Sequence, residues 1–315
     1  MRAVFLDAKG LEDLDLTELM NSCSSLEIFA TTPPELVDQR IADAELVIVN
    51  KTKLNEVHFR KTPSLKLICL VATGTDVIDL VAANKYGVAV YNCQNYGTNS
   101  VVQHVFANIL ALQTNLLRYN AAVTEGRWQQ ADQFCFLDFP ITELHGKKLG
   151  IVGFGNLGRG VAKIGAAFGM EILVARRPGT SDTTRPALTE ILPLVDILTL
   201  HCPLTESTRD LIDCHALSLM KPTALLINAA RGGIVNETDL VDALRSGNIG
   251  GAAVDVLTIE PPRASNPLLE AKLPQLIITP HCAWASHEAR ATIIKQTVEN
   301  IAAFLQGSAK RRVTP

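Results

Sequence analysis

The sequence lacks an uncharged apolar run of membrane-spanning length, and it lacks any excess of basic residues. Its formal net charge of −3 argues against nucleic acid or an anionic membrane as the main partner, because both attract positively charged surfaces. The first residues, Arg2 to Asp7, become polar too soon for a secretory signal and are typical of a first β-strand. We therefore expect a globular cytoplasmic protein that binds neither nucleic acid nor membrane.

A disulfide framework is also missing. The seven cysteines are odd in number, lie far apart and form no C-x-x-C motif. This pattern is typical of reduced thiols in a cytoplasm and does not suggest a zinc site. We expect most of these cysteines to be small core residues, and we expect no metal.

The length of 315 residues, with 47% hydrophobic and 19% charged residues, favours a globular protein of two domains. Residues 1–97 alternate apolar strands with helices, which is the rhythm of a parallel sheet covered on both faces. The strands expected there are Ala3–Leu6, Leu46–Val49, Leu67–Val71 and Val88–Tyr91, and the helices lie near Pro34–Ala42 and Asp76–Tyr86.

The two halves are joined by a predicted helix that begins within residues 98–100 and carries an apolar stripe from Val101 to Leu117. His104 lies off part of that stripe and is interpreted as a structural residue of the helix face. The aromatic stretch Gly126–Pro140 has no clean periodicity, and so long a loop usually covers something. A partner subunit is the first expectation for it, and a lid over its own domain is the second.

From Lys148 onward, six apolar strands alternate with helices, as a doubly wound dinucleotide-binding fold requires. The last helix, about Ser286–Leu305, is expected to return to the first domain. The six predicted strands are Leu149–Val152, Glu171–Val174, Asp196–Leu200, Ala224–Asn228, Gly251–Val254 and Leu276–Thr279.

A glycine-rich turn follows the first of these strands. Gly153, Gly155 and Gly158 fit the pattern G-x-G-x-x-G, and a helical stretch continues to a predicted cap at Gly169. The first glycine allows the tight turn, the second lets the backbone approach a pyrophosphate, and the third lets helix and strand pack closely. The N-terminus of the helix presents free N–H groups to the phosphates. The pattern alone is weak, but its place between strand and helix predicts a dinucleotide site.

The end of the next strand indicates which dinucleotide is bound. About twenty residues after the glycine turn, where an NAD site places an acid, the chain has Ala175, Arg176 and Arg177. An acid would repel a 2′-phosphate, whereas guanidinium groups bind it through charge-assisted hydrogen bonds. The pattern favours NADP(H), with a solvated basic turn as the alternative. The nearest acid, Asp182, lies beyond a Pro-Gly turn and is a poor substitute.

Three residues suited to reducing a 2-keto acid follow later strands in the same half of the chain. These residues are Arg231, Glu260 and His281. An arginine binds a carboxylate as a planar fork, and a histidine can protonate the alkoxide that hydride transfer leaves. A carboxylate behind the histidine favours the imidazolium. Each residue alone is more often structural, but their joint placement predicts one active crevice.

These pieces together resemble the D-isomer-specific 2-hydroxyacid dehydrogenase family over nearly the whole chain. The matching segments, in order and spacing, are Ala72–Asp76, Gly153–Gly158, His201–Thr205, Asn228–Gly232, Asp255 through Glu260-Pro261-Pro262, and Thr279–His281. The turn at Thr73 follows an apolar strand and, taken alone, is read as an ordinary turn between strand and helix.

The resemblance implies an α/β fold of two Rossmann-like, doubly wound parallel-sheet domains. A nucleotide-binding domain, residues 98–284, is inserted in a flavodoxin-like substrate domain made of residues 1–97 and 285–315. It also implies a homodimer joined through the nucleotide-binding domain. NADP(H) is preferred and NAD(H) is possible, and the substrate is a small 2-keto acid such as glyoxylate or hydroxypyruvate.

The resemblance also implies roles for individual residues. Arg231 binds the substrate carboxylate, His281 is the acid and base, and Glu260 is its partner. Trp284 is expected to wall the substrate pocket or, alternatively, to anchor the final helix, and Cys282 is expected to pack. The other residues expected to bind substrate are Thr73, Gly74 and Thr75, and those expected to bind cofactor are Gly153, Gly155, Asn156, Leu157, Gly158, Arg176, Arg177, His201, Cys202, Pro203, Thr208, Ala229, Ala230 and Asp255.

Two other functions use similar chemistry or the same fold. One is a dinucleotide-sensing protein of the corepressor kind, which would bind the cofactor tightly without turnover. The other is a phosphite dehydrogenase, which would reduce the oxidised cofactor with phosphite.

Overall fold

The computed structural model describes residues 1–180 and 183–314 and separates into two units. The first unit contains Met1–Gly97 and Ala285–Pro315, and the second contains Thr98–Trp284. Each has its own parallel sheet and its own apolar core. No helix in the described part of the chain is long and apolar enough to cross a membrane.

The first unit is built on a five-stranded parallel sheet with strand order β2-β1-β3-β4-β5, which is the flavodoxin-like order. The inner strands are apolar and buried because helices cover both faces, as the sequence predicts. The strands are β1 (Arg2–Phe5), β2 (Ser25–Ile28), β3 (Leu46–Val49), β4 (Leu67–Leu70) and β5 (Ala89–Asn92), and the helices are α1 (Thr17–Asn21), α2 (Val37–Ile41), α3 (Glu56–Lys61), α4 (Leu80–Lys85) and, last in the chain, α12 (His287–Leu305).

The second unit is built on a six-stranded parallel sheet with strand order β11-β10-β9-β8-β6-β7. Its helices are α5 (Thr98–Gln113), α6 (Leu116–Thr124), α7 (Asn156–Ala167), α8 (Leu188–Ile191), α9 (Cys214–Ser218), α10 (Glu237–Ser246) and α11 (Pro267–Ala271). The strands are β6 (Lys148–Val152), β7 (Glu171–Val174), β8 (Ile197–Leu200), β9 (Leu225–Asn228), β10 (Gly251–Val254) and β11 (Leu276–Ile278).

Helices cover both faces of this second sheet. Along β6, Ile151 packs into the core beneath α5 and α7, whereas Val152 packs into the core beneath α9 and α10. This alternation confirms the predicted doubly wound α/β fold. Strand β6 has β7 on one side and β8 on the other, so the strand order reverses there. Such a switch point is where open α/β sheets bind ligands.

The predicted helix ending at Leu117 is wrong in its last turn. Helix α5 ends at Gln113, and α6 begins only at Leu116. Between them, Asn115 adopts φ 49°, a left-handed conformation that interrupts the helical hydrogen bonding. Because α6 starts on a new axis, Leu116 and Leu117 leave the apolar stripe and are exposed.

The expectation for the cysteines is wrong for more than half of them. All seven are free, but only Cys69, Cys93 and Cys202 are buried. Cys214 begins a surface helix and Cys282 lies in the loop after β11, so both are exposed. The buried thiols are inert, since burial raises the pKa of Cys93 to about 12 and that of Cys202 to about 11.

Candidate active site

The glycine turn after β6 is packed tightly on one side and open on the other. A Cβ on Gly153, which has φ 94°, would come within 2.5 Å of the His201 carbonyl oxygen. A Cβ on Gly158 would come within 2.1 Å of the Gly153 carbonyl oxygen. A Cβ on Gly155 would meet nothing within 4 Å. The turn thus leaves an open approach at the N-terminus of α7, beside the switch point, and this shape fits a dinucleotide pyrophosphate.

The next two cofactor candidates continue from this turn. Asn156 is exposed at the first position of α7, and its side chain accepts a hydrogen bond from Arg159. Leu157 is half-buried against the core beneath α7. The side chain at 156 is therefore exposed at the start of α7, and the one at 157 contributes to packing.

The arginines expected to select the cofactor follow β7. Arg176 is half-buried and its backbone N–H donates to the Pro186 carbonyl, whereas Arg177 is exposed. A third arginine, Arg185, lies with its guanidinium carbon 5.1 Å from the ring centre of Phe154 in the glycine turn. No carboxylate in residues 1–180 or 183–314 forms an ion pair with any of the three. Asp182, the alternative acid, lies outside the described residues.

Sequence reasoning missed Arg185 because it stands about ten residues beyond the strand, at no spacing that a motif fixes. The backbone hydrogen bond from the Arg176 N–H to the Pro186 carbonyl brings Arg185 back to the end of β7. The signal in the sequence was a third arginine in a stretch, residues 175–187, whose one acid is Asp182.

The loop after β8 packs beside the glycine turn. His201 donates its backbone N–H to the Val152 carbonyl over 2.7 Å, and its Nε2 lies 2.8 Å from Thr199 Oγ1. Burial lowers the pKa of His201 to about 4, so its imidazole is neutral at physiological pH. Pro203 and Thr208 brace this loop, since the Thr208 hydroxyl donates to the Pro203 carbonyl over 2.7 Å.

Arg231 stands in the loop after β9, and Asn228 fixes that loop from below. The buried Asn228 amide donates to the Arg231 carbonyl over 3.0 Å and accepts the Ala230 N–H over 3.1 Å. The Arg231 guanidinium donates through Nη1 to the Ala230 carbonyl, and no acid of the described chain pairs with it. Its other N–H groups can therefore receive a carboxylate. Ala229, half-buried, packs on the core beneath α5 and α7.

Glu260 and His281 are in direct contact. His281 Nδ1 lies 2.6 Å from Glu260 Oε2, and the other carboxylate oxygen accepts the Leu257 N–H over 2.8 Å. The loop that bears Arg231 is adjacent, because a Cβ on Gly232 would come within 1.9 Å of the Leu257 carbonyl oxygen. The structure therefore brings the predicted acid–base pair together and places the arginine loop against the backbone that Glu260 binds.

Asp255 holds the backbone around His281. Its carboxylate is buried and accepts the N–H groups of Cys282 over 3.0 Å and Ala283 over 2.9 Å. Its carbonyl accepts the His281 N–H over 2.7 Å. His281 itself has φ 52°, an uncommon conformation for a residue with a side chain. Asp255, which is expected to bind the cofactor, thus fixes the histidine loop.

Two neighbours of His281 have contacts that bear on the loop, and the expected packing role is wrong for one of them, Cys282. Trp284 donates its indole N–H to the His281 carbonyl over 2.9 Å, so it anchors this loop. Cys282 is exposed and does not fill the core, because its backbone follows the turn that Asp255 imposes. Partial burial and the Asp255 carboxylate raise the pKa of the Cys282 thiol, which opposes a nucleophilic role.

The residues Thr73, Gly74 and Thr75 belong to the other unit. They form the turn after β4, at the carboxyl edge of the five-stranded sheet. The Thr73 hydroxyl donates to the Cys93 carbonyl over 2.9 Å, and the Asn92 amide donates to the Thr73 carbonyl over 2.7 Å. The end of β5 therefore fixes this turn.

Comparison with known proteins identifies the chemistry. Residues 106–283 match the family model described as the D-isomer specific 2-hydroxyacid dehydrogenase, NAD binding domain. The chain is 41% identical to a glycerate dehydrogenase of Methylorubrum extorquens, over 97% of this chain and 96% of that protein. It is 36% identical to a hydroxypyruvate reductase of Blautia hydrogenotrophica, over 98% of each.

A solved structure gives the same correspondence. It is an NADPH-dependent glyoxylate/hydroxypyruvate reductase of Sinorhizobium meliloti in complex with NADP and malonate. Its TM-score to this chain is 0.82 at 26% sequence identity, covering 100% of this chain and 96% of that one. These likenesses do not favour a corepressor-like sensor or a phosphite dehydrogenase.

Proposed function

We propose a specific reaction for this chain, which belongs to the D-isomer specific 2-hydroxyacid dehydrogenase family and is an oxidoreductase using a nicotinamide dinucleotide. The reaction is the reduction of glyoxylate or hydroxypyruvate to the corresponding hydroxy acid, with NADPH as the preferred reductant. The observation that carries the proposal is the 2.6 Å contact between His281 Nδ1 and Glu260 Oε2, beside the arginine loop.

The roles of the three residues follow from their contacts. The reduced nicotinamide, when bound, supplies the hydride. Arg231 binds the substrate carboxylate with its free N–H groups and polarises the adjacent ketone. His281 donates the proton from Nε2 to the carbonyl oxygen, since Nδ1 is held by Glu260. The Glu260 carboxylate contacts Nδ1 and so orients the imidazole for this transfer.

The substrate assignment is supported by the relatives, which are a glycerate dehydrogenase and a hydroxypyruvate reductase over nearly their full lengths. The turn at Thr73, Gly74 and Thr75 is the proposed second anchor for the carboxylate. Steady-state kinetics with glyoxylate, hydroxypyruvate, pyruvate and bulkier keto acids tests this choice. A higher kcat/KM for pyruvate or a bulky acid than for the first two would contradict it.

Replacement of Arg231 tests the site itself. Arg231→Ala should raise KM and depress kcat together, because the same side chain binds the carboxylate and stabilises the charge of the transition state. A loss of about a hundredfold or more in kcat/KM is expected, since hydrogen bonds to charged groups are among the strongest. Arg245, exposed on α10, supplies the matched control as Arg245→Ala. Normal activity of Arg231→Ala would overturn the assignment.

The preference for NADPH is supported by Arg176, Arg177 and Arg185. None of the three pairs with a carboxylate of the described chain, so all can bind a 2′-phosphate. Arg176→Glu should shift the ratio of kcat/KM values from NADPH towards NADH by repelling that phosphate. Arg185→Leu should weaken the binding of NADPH and leave the binding of NADH unchanged. Equal efficiency of the wild-type protein with both cofactors would show that these arginines are only surface charge.

A homodimer is supported by the surface around α6. Phe134 and Leu137 are 87% and 76% exposed, and Leu116 and Leu117 are exposed nearby. The segment after α6 is held in place from its inner side, because the ring of Tyr119 on α6 packs against Phe136 and Phe139. Ordered and exposed apolar side chains of this density favour an interface. A second copy of the chain is the proposed occupant.

Light scattering tests the dimer. The double variant Phe134→Ser and Leu137→Ser should shift the mass from dimer to monomer, whereas Val81→Ser, at an equally exposed site on α4, should not. A monomeric wild-type protein at micromolar concentration would contradict the proposal.

A further inference from the structure

His104 on α5 faces the anchor of the catalytic loop. Its Nε2 lies 3.1 Å from Thr279 Oγ1 and 3.6 Å from Asp255 Oδ1. The His104 side chain is 17% exposed and that of Asp255 only 2%. Throughout residues 1–180 and 183–314, no other basic side chain lies within 4 Å of this carboxylate. A carboxylate so deeply buried is costly unless donors surround it.

The direction of each hydrogen bond follows from the donors available. The Thr279 hydroxyl donates its single proton to Asp255 Oδ1 over 2.6 Å. Its oxygen can therefore only accept from His104, which must carry a proton on Nε2. Asp255 in turn accepts the backbone N–H groups of Cys282 and Ala283. A continuous chain of hydrogen bonds therefore runs from α5, through the acceptor Asp255, to the loop that bears His281.

This chain of hydrogen bonds ends beside a residue in an unfavourable backbone conformation, His281. His281 has φ 52°, which a residue with a side chain adopts only when its surroundings enforce it. The enforcing contacts are those to Asp255, including the bond from the His281 N–H to the Asp255 carbonyl over 2.7 Å. If the Asp255 carboxylate turns, the N–H groups of Cys282 and Ala283 lose their acceptor, and the backbone that orients the His281 imidazole towards Glu260 is no longer held.

We infer that His104 is a positioning residue for the proposed reaction. It fixes the Thr279 hydroxyl and thereby the Asp255 carboxylate, which holds the N–H groups of Cys282 and Ala283 next to His281. His104 itself touches neither substrate nor the proton that is transferred. The inference rests on the proposed role of His281, but the loop geometry can be tested without turnover.

Hydrogen–deuterium exchange of the cofactor-free protein gives that test. In His104→Leu, the peptide containing residues 281–283 should exchange about tenfold faster, the factor expected when one hydrogen bond of a buried chain is lost. His104→Gln keeps an N–H donor and should exchange within about threefold of wild type. His215→Leu, an exposed histidine on α9, is the matched control and should leave this peptide unchanged.

Kinetics should follow the same order. His104→Leu should lower kcat by about tenfold, the same factor as the loss of the hydrogen bond, while the NADPH dissociation constant stays within about twofold of wild type. His104→Gln should recover most of kcat. A residue that merely stabilises α5 would instead change cofactor binding and exchange across the whole unit.

Three results would overturn the inference. They are unchanged exchange of residues 281–283 in His104→Leu, faster exchange spread evenly over the unit, and no recovery in His104→Gln. If the wild-type protein reduces no 2-keto acid, the proposed function fails, and the exchange experiment still decides whether His104 holds the loop.

Discussion

Glu260 divides its two carboxylate oxygens between the backbone and the imidazole of His281. One oxygen accepts the Leu257 N–H and the other contacts His281 Nδ1. The backbone contact fixes the carboxylate, so the imidazole is oriented by a group that is itself held. This arrangement leaves only Nε2 of His281 for proton transfer.

Removal of this contact should slow the proposed reaction. Glu260→Gln removes the carboxylate that holds His281 Nδ1, so kcat/KM for reduction should fall by about tenfold or more, the factor for one lost hydrogen bond to a charged group. Steady-state kinetics with a 2-keto acid measure this, with Glu270→Gln on α11 as the control. An unchanged kcat/KM in Glu260→Gln would contradict the proposed pairing of Glu260 with His281.

His201 should make stability depend on pH. Its pKa is lowered from 6.5 to about 4 by burial, so the folded protein binds fewer protons there than the unfolded chain. The stability that the neutral His201 provides is fully present above pH 6.5. It is lost as pH falls towards 4, because the unfolded chain then binds a proton that the folded protein does not. Denaturant unfolding of wild type and His201→Gln at about pH 7 and about pH 4.5 measures it. Between these conditions, the unfolding free energy of the wild type should fall by at least about 1 kcal/mol more than that of His201→Gln, because one pKa unit corresponds to about 1.4 kcal/mol.

Single residues were predictable from sequence where a strand end fixes their place. Arg231, Glu260 and His281 each follow an apolar strand, so the sequence predicts one shared edge. His104 and Arg185 were not predictable as partners of that edge, because a helix face and a returning turn reach it only through tertiary packing. Their contacts depend on long-range geometry that spacing along the chain does not encode.

At the level of elements, the turn from β6 into α7 contains one glycine needed for folding, Gly158, and another proposed to be needed for cofactor binding, Gly155. Gly155→Ala should fold normally, since a Cβ there meets nothing within 4 Å and φ −78° suits alanine. The same methyl group occupies the proposed path of the pyrophosphate, so NADPH affinity should fall about tenfold or more, which is one lost charged hydrogen bond. Fluorescence titration and thermal melts measure the two effects. Unchanged affinity would place the cofactor elsewhere.

Gly158→Ala is the converse case. A Cβ there lies 2.1 Å from the Gly153 carbonyl oxygen, which backbone cannot easily relieve. The unfolding free energy should drop by about 1–3 kcal/mol, as for other overpacked sites. Denaturant unfolding checks this, and a stability equal to that of Gly155→Ala would contradict such close packing of helix on turn.

The bounds of strands and helices could be predicted from the sequence best where the element is buried. The inner strands of both sheets are continuous apolar runs and lie within about a residue of their predicted bounds. Strand β2 escaped notice because it is an exposed edge, and α1 and α3 are short and largely polar. The break between α5 and α6 depends on the left-handed Asn115, whose sequence carries no glycine or proline signal.

At the level of the whole molecule, the second unit should be able to fold by itself. Residues 98–284 are contiguous and contain both cores of the six-stranded sheet. The isolated segment should give a cooperative melt and bind NADPH. It should reduce no keto acid, because the proposed carboxylate anchor at Thr73–Thr75 is absent. Calorimetry and titration measure this. An unfolded or non-binding segment would contradict it.

Residues 1–97 alone should behave differently. Helix α12 packs on β4 and β5 and buries Ile293, Ile294 and Ile301 in the first unit. Without it, one face of the five-stranded sheet is left bare, and the fragment should be unfolded or aggregated. A soluble, cooperatively folded fragment 1–97 would show that α12 is dispensable.

The hydrogen bond from the Ser100 hydroxyl to the Ala283 carbonyl, 2.7 Å long, has a consequence for the order of folding. It holds the two ends of the inserted unit together, so once that unit is folded, the segments on either side leave it at neighbouring points. The first unit then closes across a few residues instead of across the whole insertion. By the logarithmic dependence of chain entropy on loop length, this removes about 3 kcal/mol of closure cost. We therefore expect the insertion to act as the folding template for the unit that surrounds it, which is completed only after α12 has been synthesised.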